Sequence, residues 1–179
     1  MPHGYNRPML ASMVASSSPT NDLPNRPVEV LDLARYLGQW HEIAHLPMFF
    51  QCRCADRITA TYGSLPGGRI RVSNACRQHD GRIATAEGIA RPAGNAAGAL
   101  KVRFAPGWLA WLPWVWADYW IVEHDPAYQW AVVGSPGRRY LWILSREPSM
   151  EGTLFRAIID RSARRGYAID RLVMAAPLH

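Results

Sequence analysis

The sequence lacks an uninterrupted apolar run long enough to cross a lipid bilayer. Its most apolar stretch, residues 104–120 (FAPGWLAWLPWVWADYW), carries five tryptophans but is interrupted by Pro106, Pro113 and Asp118, whereas a membrane-spanning helix needs roughly 20 consecutive apolar residues. The 179 residues are 49% apolar and have a mean hydropathy of -0.15. They are therefore predicted to form one globular domain and not an integral membrane protein.

The sequence also lacks the motifs of common enzyme classes, since it has no nucleophile elbow, phosphate-binding loop or nucleotide fingerprint. His41 and His45 would lie about 13 Å apart on a strand, too far to share a metal ion. The acidic and histidine residues at 123–125 are consecutive, so they alternate between strand faces and form no triad. These absences predict a protein that is not an enzyme and uses neither a cofactor nor a metal.

Clustered charge is absent as well. The chain carries 20 Lys and Arg against 14 Asp and Glu, a net charge of +6, but its only adjacent basic pairs are Arg138-Arg139 and Arg164-Arg165. No predicted strand or helix collects these charges into a stripe that could follow a phosphate backbone, which argues against nucleic acid as a partner. A mildly basic surface fits anionic lipid headgroups at least as well.

Residues 1–27 are predicted to be a separate region. The stretch ASSSPTNDLPNRP is rich in Ser, Pro and Asn and has no apolar period, which is typical of a disordered tether. The stretch RPMLASMVAS before it resembles a shortened secretion signal, but Ser16 stands where a lipoprotein signal would have cysteine. The folded domain is expected to span residues 28–179.

Eight short runs rich in β-branched and aromatic residues, separated by turn-forming residues, predict an antiparallel sandwich or barrel. A helix should follow, capped by Ser149 and ended by Gly166, and then a short strand at 171–176. The apolar face of the helix would carry Leu154, Phe155, Ile158 and Ile159. The eight predicted strands are 41–46, 56–62, 68–76, 83–90, 99–105, 118–124, 129–135 and 139–145.

Three ordered motifs carry a resemblance to a known family. GQW opens the first strand, ADYWIVEHDPAYQWAVVG follows, and YLWILSREP puts Arg146 at the end of the eighth strand. From about Leu31 to Ala175 the chain resembles the lipocalins, most closely the bacterial outer-membrane lipocalins, the plant temperature-induced lipocalins and apolipoprotein D. The resemblance implies an all-β fold, an eight-stranded antiparallel up-and-down barrel with one C-terminal α-helix and a short final strand.

The resemblance implies structural roles for three motif residues. Trp40 would fill the closed end of the barrel, where tapering strands leave room for a large flat side chain. Arg146 would stack its guanidinium on the Trp40 indole. Gly38 would let the backbone turn tightly beneath them.

The resemblance also implies a ligand cavity inside the barrel. Alternation along the strands, matched to the family's inward positions, predicts an apolar and aromatic lining with a few polar groups. Glu42 shares the inward side of Trp40, and is either a paired buried carboxylate or a contact to a ligand headgroup. The predicted ligand-binding residues are Glu42, Ala60, Tyr62, Val72, Asn74, Val102, Phe104, Tyr119, Ile121, Tyr140 and Trp142.

The function implied by the resemblance is to carry or store an amphipathic lipid, a fatty acid or a lysophospholipid, for membrane maintenance or lipid trafficking. Two alternatives stay open, a carrier of tetrapyrroles or isoprenoids and a lipocalin-fold enzyme acting on its bound lipid. The expected protein is a monomer or a weak homodimer.

The tryptophan-rich stretch joins the fifth and sixth strands, a connection that stands at the open end of a lipocalin barrel. Exposed tryptophans suit a membrane–water interface, so this stretch is predicted to touch a membrane peripherally. The alternative is that it folds inward as a lid over the cavity. The predicted membrane-docking residues are Trp108, Leu109, Trp111, Leu112, Trp114 and Trp116.

Three cysteines leave one thiol unpaired if a disulfide forms. Cys52, Cys54 and Cys76 with His79 have the residue types and spacing of a zinc site. Ligands on a flat hairpin, however, do not converge with tetrahedral geometry. The hairpin brings Cys52 or Cys54 near Cys76, and the resemblance favours Cys54–Cys76 with Cys52–Cys76 as the alternative. A disulfide implies an oxidising compartment, so the expected location is the periplasm or the periplasmic face of the outer membrane.

Overall fold

The computed structural model describes residues 22–48, 54–104 and 115–179. These residues form two α-helices, nine strands and two short 3-10 turns. The helices are α1 (Leu33–Tyr36) and α2 (Gly152–Arg164). The strands are β1 (Gly38–His45), β2 (Cys54–Leu65), β3 (Arg69–Gln78), β4 (Ile83–Pro92), β5 (Ala99–Arg103), β6 (Ala117–His124), β7 (Trp130–Gly134), β8 (Leu141–Ser145) and β9 (Val173–Met174).

The strands form a closed antiparallel barrel. Strands β2 to β8 pair with their neighbours in chain order, and β1 closes the ring by pairing with both β2 and β8. The short β9 adds to the free part of β1. The predicted eight-stranded up-and-down barrel with a C-terminal helix and a final strand is therefore confirmed. None of the helices in the described ranges has the length and apolar character needed to span a membrane.

The connections after β1, β3, β5 and β7 lie at one end of the barrel, here called the open end, and α1 lies at the other, the closed end. At the closed end Trp40 is fully buried, and the Arg146 guanidinium carbon lies 3.7 Å from the indole centroid. Arg146 also donates hydrogen bonds to the carbonyls of Arg35 at 2.7 Å and Leu37 at 2.9 Å, at the end of α1. This one side chain stacks on Trp40 and satisfies the carbonyls that α1 leaves unpaired.

Gly38 has a φ of 95°, a conformation that favours glycine. A Cβ atom there would lie 3.3 Å from Arg146 Nη1. The glycine therefore permits both the turn from α1 into β1 and the close approach of the guanidinium.

Helix α2 begins later than the sequence predicts, and the predicted Ser149 cap is wrong. The Glu151 carboxylate accepts hydrogen bonds at 2.8 Å from the backbone N–H groups of Thr153 and Leu154, whereas the Ser149 hydroxyl lies 3.0 Å from His179 Nδ1. A carboxylate with two oxygens satisfies two free N–H groups at the positive end of the helix dipole. Gly166 follows the helix with a φ of 86°, as predicted.

Helix α2 covers one side of the barrel. Its Phe155 and Ile158 pack with Val122, Val132 and Ile143 in a core cluster outside β1 and β6–β8. Strands β3 and β4 lie on the side of the barrel opposite to α2. A second cluster, inside the barrel, contains Trp40 and Tyr36.

The described part of the predicted tether, residues 22–27, is bound to the domain. Asp22 pairs with Arg164 at 2.8 Å, and the Tyr167 hydroxyl donates to Asn25 Oδ1 at 2.7 Å. These partners lie 142 positions away in the sequence, so no local pattern could reveal them. The rest of the predicted tether, residues 1–21, lies outside the described residues.

Strand β1 contains a β-bulge. Its pairing with β8 shifts register between Glu42 and Ala44, which inserts one extra residue and reverses the alternation of faces beyond it. As a result, Glu42 and His45 come together although they are three positions apart, while Ile43 packs in the cluster beneath α2.

Candidate ligand-binding cavity

A cavity of about 450 Å³ lies inside the barrel. Phe104 and Tyr140, on two of the open-end connections, contribute to its wall, and Phe104 is also 44% exposed to solvent. The lining residues are Glu42, Ile58, Thr59, Ala60, Tyr62, Val72, Asn74, Ala86, Val102, Phe104, Ala117, Asp118, Tyr119, Tyr140, Trp142 and Leu144.

The structure brings the predicted ligand-binding residues together around this cavity, with the exception of Ile121. That side chain is fully buried in the core cluster that contains Trp40 and Val133. Alternation indicates which side of a strand a residue faces but not its depth, and Ile121 faces inward where the interior is already filled by packed side chains.

Six lining residues were not predicted. Ile58 and Leu144 have the same parity as Ala60 and Trp142, so the alternation contained that signal. Thr59 follows a register shift in the β2–β3 pairing, which simple alternation does not reveal. The remaining unpredicted lining residues are Ala86, Ala117 and Asp118.

Aromatic rings form much of one wall. The Trp142 ring stacks on Tyr119 with centroids 6.3 Å apart and on Tyr140 with centroids 5.8 Å apart. These distances are those of offset-stacked aromatic pairs. Such a wall offers flat apolar surface to a ligand.

Three tyrosine hydroxyls meet where the cavity approaches the closed end. The Tyr119 hydroxyl lies 2.9 Å from that of Tyr36 and 2.7 Å from that of Tyr62. Burial raises the pKa of Tyr62 to about 12, opposed by its hydrogen bond to Tyr119 and supported by the nearby charge of Glu42. Burial likewise raises the pKa of Tyr36 and of Tyr119. All three hydroxyls are therefore neutral near pH 7 and serve as hydrogen-bonding groups.

Glu42 fits the first of the two readings that the sequence left open, a paired buried carboxylate, and its contact with a ligand headgroup stays a prediction. Its carboxylate contacts His45 Nδ1 across the bulge, and both side chains are less than a tenth exposed. The same residue lines the cavity. Glu42 is thus a buried carboxylate with a partner that also contributes polarity to the wall.

Asn74 is a second polar group of the wall. Its Oδ1 atom is buried and has no hydrogen-bond partner within the described parts of the chain. Leaving a buried polar atom unpaired costs about 1–3 kcal/mol. An unpaired atom beside a cavity is a group that a bound molecule could satisfy.

The cysteines form the disulfide that the resemblance favoured. Cys54 and Cys76 are bonded across the β2–β3 hairpin with their Cα atoms 5.6 Å apart. Because both sulfurs are used, the zinc reading with Cys52 and His79 loses two of its four ligands. Among residues 22–48, 54–104 and 115–179 there is no group of His, Cys, Asp or Glu that could hold a metal ion. Cys52 lies outside the described residues.

Trp116 is the one predicted membrane-docking residue within the described ranges. The guanidinium carbons of Arg91 and Arg103 lie 4.2 and 5.2 Å from its ring centroid, so the ring is held beside β4 and β5 by cation–π contacts. The other predicted docking residues, Trp108, Leu109, Trp111, Leu112 and Trp114, lie outside the described residues. Docking and lid therefore both stay predictions.

Comparisons with known proteins agree with this geometry. A family model described as a lipocalin-like domain matches residues 31–177. Temperature-induced lipocalin-1 of Arabidopsis thaliana is 38% identical, covering 81% of this chain and 78% of its own length. Outer membrane lipoprotein Blc of Citrobacter freundii is 34% identical, covering 90% and 88%. The solved structure of insecticyanin from the tobacco hornworm Manduca sexta has a TM-score of 0.66 at 20% identity, covering 89% of this chain and 91% of that one.

Proposed function

The chain belongs to the lipocalin-like family, and from this premise we propose that it carries or stores an amphipathic lipid, a fatty acid or a lysophospholipid, for membrane maintenance or lipid trafficking. Family membership and the cavity together support small-ligand binding. The assignment of fatty acid or lysophospholipid as the ligand is the part that we propose.

One observation carries the proposal: a largely apolar cavity of about 450 Å³ inside a closed barrel. The volume is within the range of small-molecule sites. Val72, Val102 and Leu144 suit an alkyl chain, and the stacked rings of Tyr119 and Trp142 add flat apolar surface. A chain buried there gains roughly 0.8 kcal/mol for each methylene removed from water.

We propose an extracytoplasmic location, the periplasm or the periplasmic face of the outer membrane. A relative bears the name outer membrane lipoprotein, and the Cys54–Cys76 disulfide fits an oxidising compartment. We further propose that the protein is a monomer or weak homodimer and that it binds its lipid without transforming it.

We also propose that the tryptophan-rich connection, with Trp108, Trp111 and Trp114, touches the membrane. Tryptophan favours the membrane–water interface, and β5 ends and β6 begins at the open end, where lipid would enter. The Arg91 and Arg103 side chains beside Trp116 add positive charge that suits anionic headgroups.

The ligand is tested by mass spectrometry of lipids extracted from the purified native protein, followed by titration of delipidated protein with fatty acid, lysophospholipid and haem. We expect a fatty acid or lysophospholipid in the extract and saturable binding of the same class. A protein that carries no lipid and binds none offered contradicts the proposal. A Soret shift would favour a tetrapyrrole carrier, and lipid turnover would favour an enzyme.

Membrane contact is tested by replacing Trp108, Trp111 and Trp114 with serine. We expect vesicle binding to be lost while the free energy of unfolding changes by less than about 0.5 kcal/mol. The control is Ile83→Ser, because Ile83 is 64% exposed at another open-end connection. A triple variant that binds vesicles normally but loses stability and lipid retention would instead support the lid.

A further inference from the structure

The outer face of β3–β5 carries an unusual set of positive charges. Arg71 pairs in register with Ile89, which pairs with Arg103, and in the adjacent row Arg91 pairs with Lys101. Arg71 and Arg91 are exposed and Lys101 is partly exposed. We call this set the basic face: Arg71, Arg91, Lys101 and Arg103.

The strand register places like charges opposite each other, and this arrangement lowers the stability of the barrel. Arg91 and Lys101 stand directly opposite each other on neighbouring strands, and like charges in that position destabilise a sheet. Each has one compensating contact, the Trp116 ring for Arg91 at 4.2 Å and the Asp118 carboxylate for Lys101 at 3.1 Å. These contacts hold the charges side by side and leave Arg91 accessible.

Few acids oppose the basic face. Asp118 pairs with Lys101, and Glu87, in the next row toward the open end, accepts a hydrogen bond from the Ser73 hydroxyl at 2.5 Å. Glu87 is the single acid within the described strands β3, β4 and β5, so the four cations outnumber it and Asp118 together. Helix α2 packs outside β1 and β6–β8, so it does not cover this side of the barrel.

The Arg103 end of the basic face lies where the tryptophan-rich connection leaves β5 and where β6 begins. Arg103 is the last residue of β5, and Trp116 immediately precedes β6. Phe104, next to Arg103, lines the cavity and is partly exposed. One side of the cavity opening is thus bordered by Phe104 and by the Trp116 ring, which contacts Arg91 and Arg103.

Cations beside tryptophan are the combination that favours an anionic membrane surface, since the cations attract lipid phosphates while tryptophan occupies the interface. We infer that the basic face is a docking surface for anionic phospholipid headgroups, which turns the Phe104 side of the cavity opening toward the membrane. Arg71, Arg91 and Lys101 contact phosphates, and the buried Arg103 is a positioning residue that holds Trp116. The inference rests on the proposed membrane contact and specifies its lipid class and orientation.

The test measures protein binding to vesicles of pure phosphatidylcholine and to vesicles containing a third phosphatidylglycerol, at low and at physiological salt. We expect at least tenfold tighter binding to the anionic vesicles, weakening as salt rises. The double variant Arg71→Gln/Arg91→Gln should lose about 25-fold in affinity for anionic vesicles, about fivefold for each cation. Its binding to phosphatidylcholine should be unchanged.

A matched control removes the same charge elsewhere. Arg156→Gln/Arg171→Gln neutralises two exposed cations at α2 and the turn after it, and we expect less than a threefold loss. Asp118→Asn frees Lys101 and should tighten binding to anionic vesicles. If Arg91→Gln disturbs folding, Arg71→Gln alone and Asp118→Asn still test the face.

Equal losses in the face variant and the control would overturn the inference, because net charge alone would then explain binding. Equal binding of the parent to both vesicle types would also overturn it while leaving the proposed membrane contact intact. If the parent binds neither vesicle type, the membrane contact and this inference both fail, whereas lipid binding in the cavity is judged separately by titration.

Discussion

Two tryptophans of the barrel interior, Trp40 at the closed end and Trp142 in the cavity wall, differ in how completely they are held. Trp40 is fully buried, donates a hydrogen bond to the Tyr36 carbonyl at 2.8 Å and is covered by Arg146. Trp142 borders the cavity, is partly exposed, and stacks on the rings of Tyr119 and Tyr140. The closed end therefore uses its aromatic residues for stability, while the cavity keeps aromatic surface available for a ligand.

The strongest test of this difference compares alanine variants at the two tryptophans. Trp40→Ala should lower the free energy of unfolding by about 3–5 kcal/mol, because a large side chain leaves a filled core. Trp142→Ala should cost clearly less, since one face of that ring already borders a cavity, but it should weaken lipid binding. Urea denaturation and ligand titration measure both effects. Equal destabilisation by the two variants would contradict the distinction between the ends.

The open end is secured covalently where the closed end is secured by packing. Reducing the Cys54–Cys76 bond, or replacing both residues with alanine, should lower the free energy of unfolding by about 3 kcal/mol for a loop of this length. The bond closes a separation of 22 residues. Thermal unfolding with and without reductant is the measurement, and Cys52→Ala is the control. An unchanged melting temperature in reductant would count against a stabilising bond.

The tyrosine cluster between the two ends predicts loss of stability in alkali. Burial raises the pKa of Tyr62 from 10.0 to about 12, so above pH 10 the unfolded chain releases this proton before the folded protein does. The stabilisation present below pH 10 is lost as pH rises through 12, by about 3 kcal/mol. Denaturation between pH 9 and 12 should show a smaller decline in Tyr62→Phe. An equally steep decline in both proteins would remove Tyr62 as the cause.

Two valines give the smallest and most closely matched comparison. Val133 is fully buried in the core, whereas Val102 lines the cavity. Val133→Ala should cost about 1–2 kcal/mol in free energy of unfolding, and Val102→Ala less than about 1 kcal/mol, because only the first creates a new void. Chemical denaturation of both variants distinguishes these values. A larger loss for Val102→Ala would mean that this wall is packed as tightly as the core.

The sequence predicted most of the architecture because its signals are local. Strand alternation and turn residues located the strands, and the motif around Trp40 and Arg146 identified the arrangement at the closed end. The inward positions of the cavity wall came from the same alternation matched to the inward positions implied by the lipocalin resemblance. Ile121 was misplaced because parity does not report depth along the barrel axis.

The remaining differences between prediction and structure arise where two residues could fill the same role, or where partners lie far apart in the sequence. Ser149 and Glu151 can each cap a helix, and only the position of the first turn decides between them. The partners of Asp22 and Asn25 are more than 100 positions away, so composition alone suggested a tether. The contact of Trp116 with Arg91 depends on how the chain returns into β6, which no local pattern records.

The bulge in β1 has a consequence for how this chain can vary in length. Turns such as Pro66–Gly68 join strands at the barrel ends, and gaining or losing a residue there leaves side-chain facing unchanged. Deleting Ile43, the extra residue of the bulge, would leave Ala44 opposite Ile143 and His45 opposite Trp142, but it would remove a fully buried side chain from the cluster beneath α2. Gaining or losing a residue elsewhere in β1, with the bulge kept, would instead turn the side chains on one side of the change to the opposite face of the strand. Among relatives of this protein, insertions and deletions should therefore occur at the turns, while the number of residues in β1 stays constant.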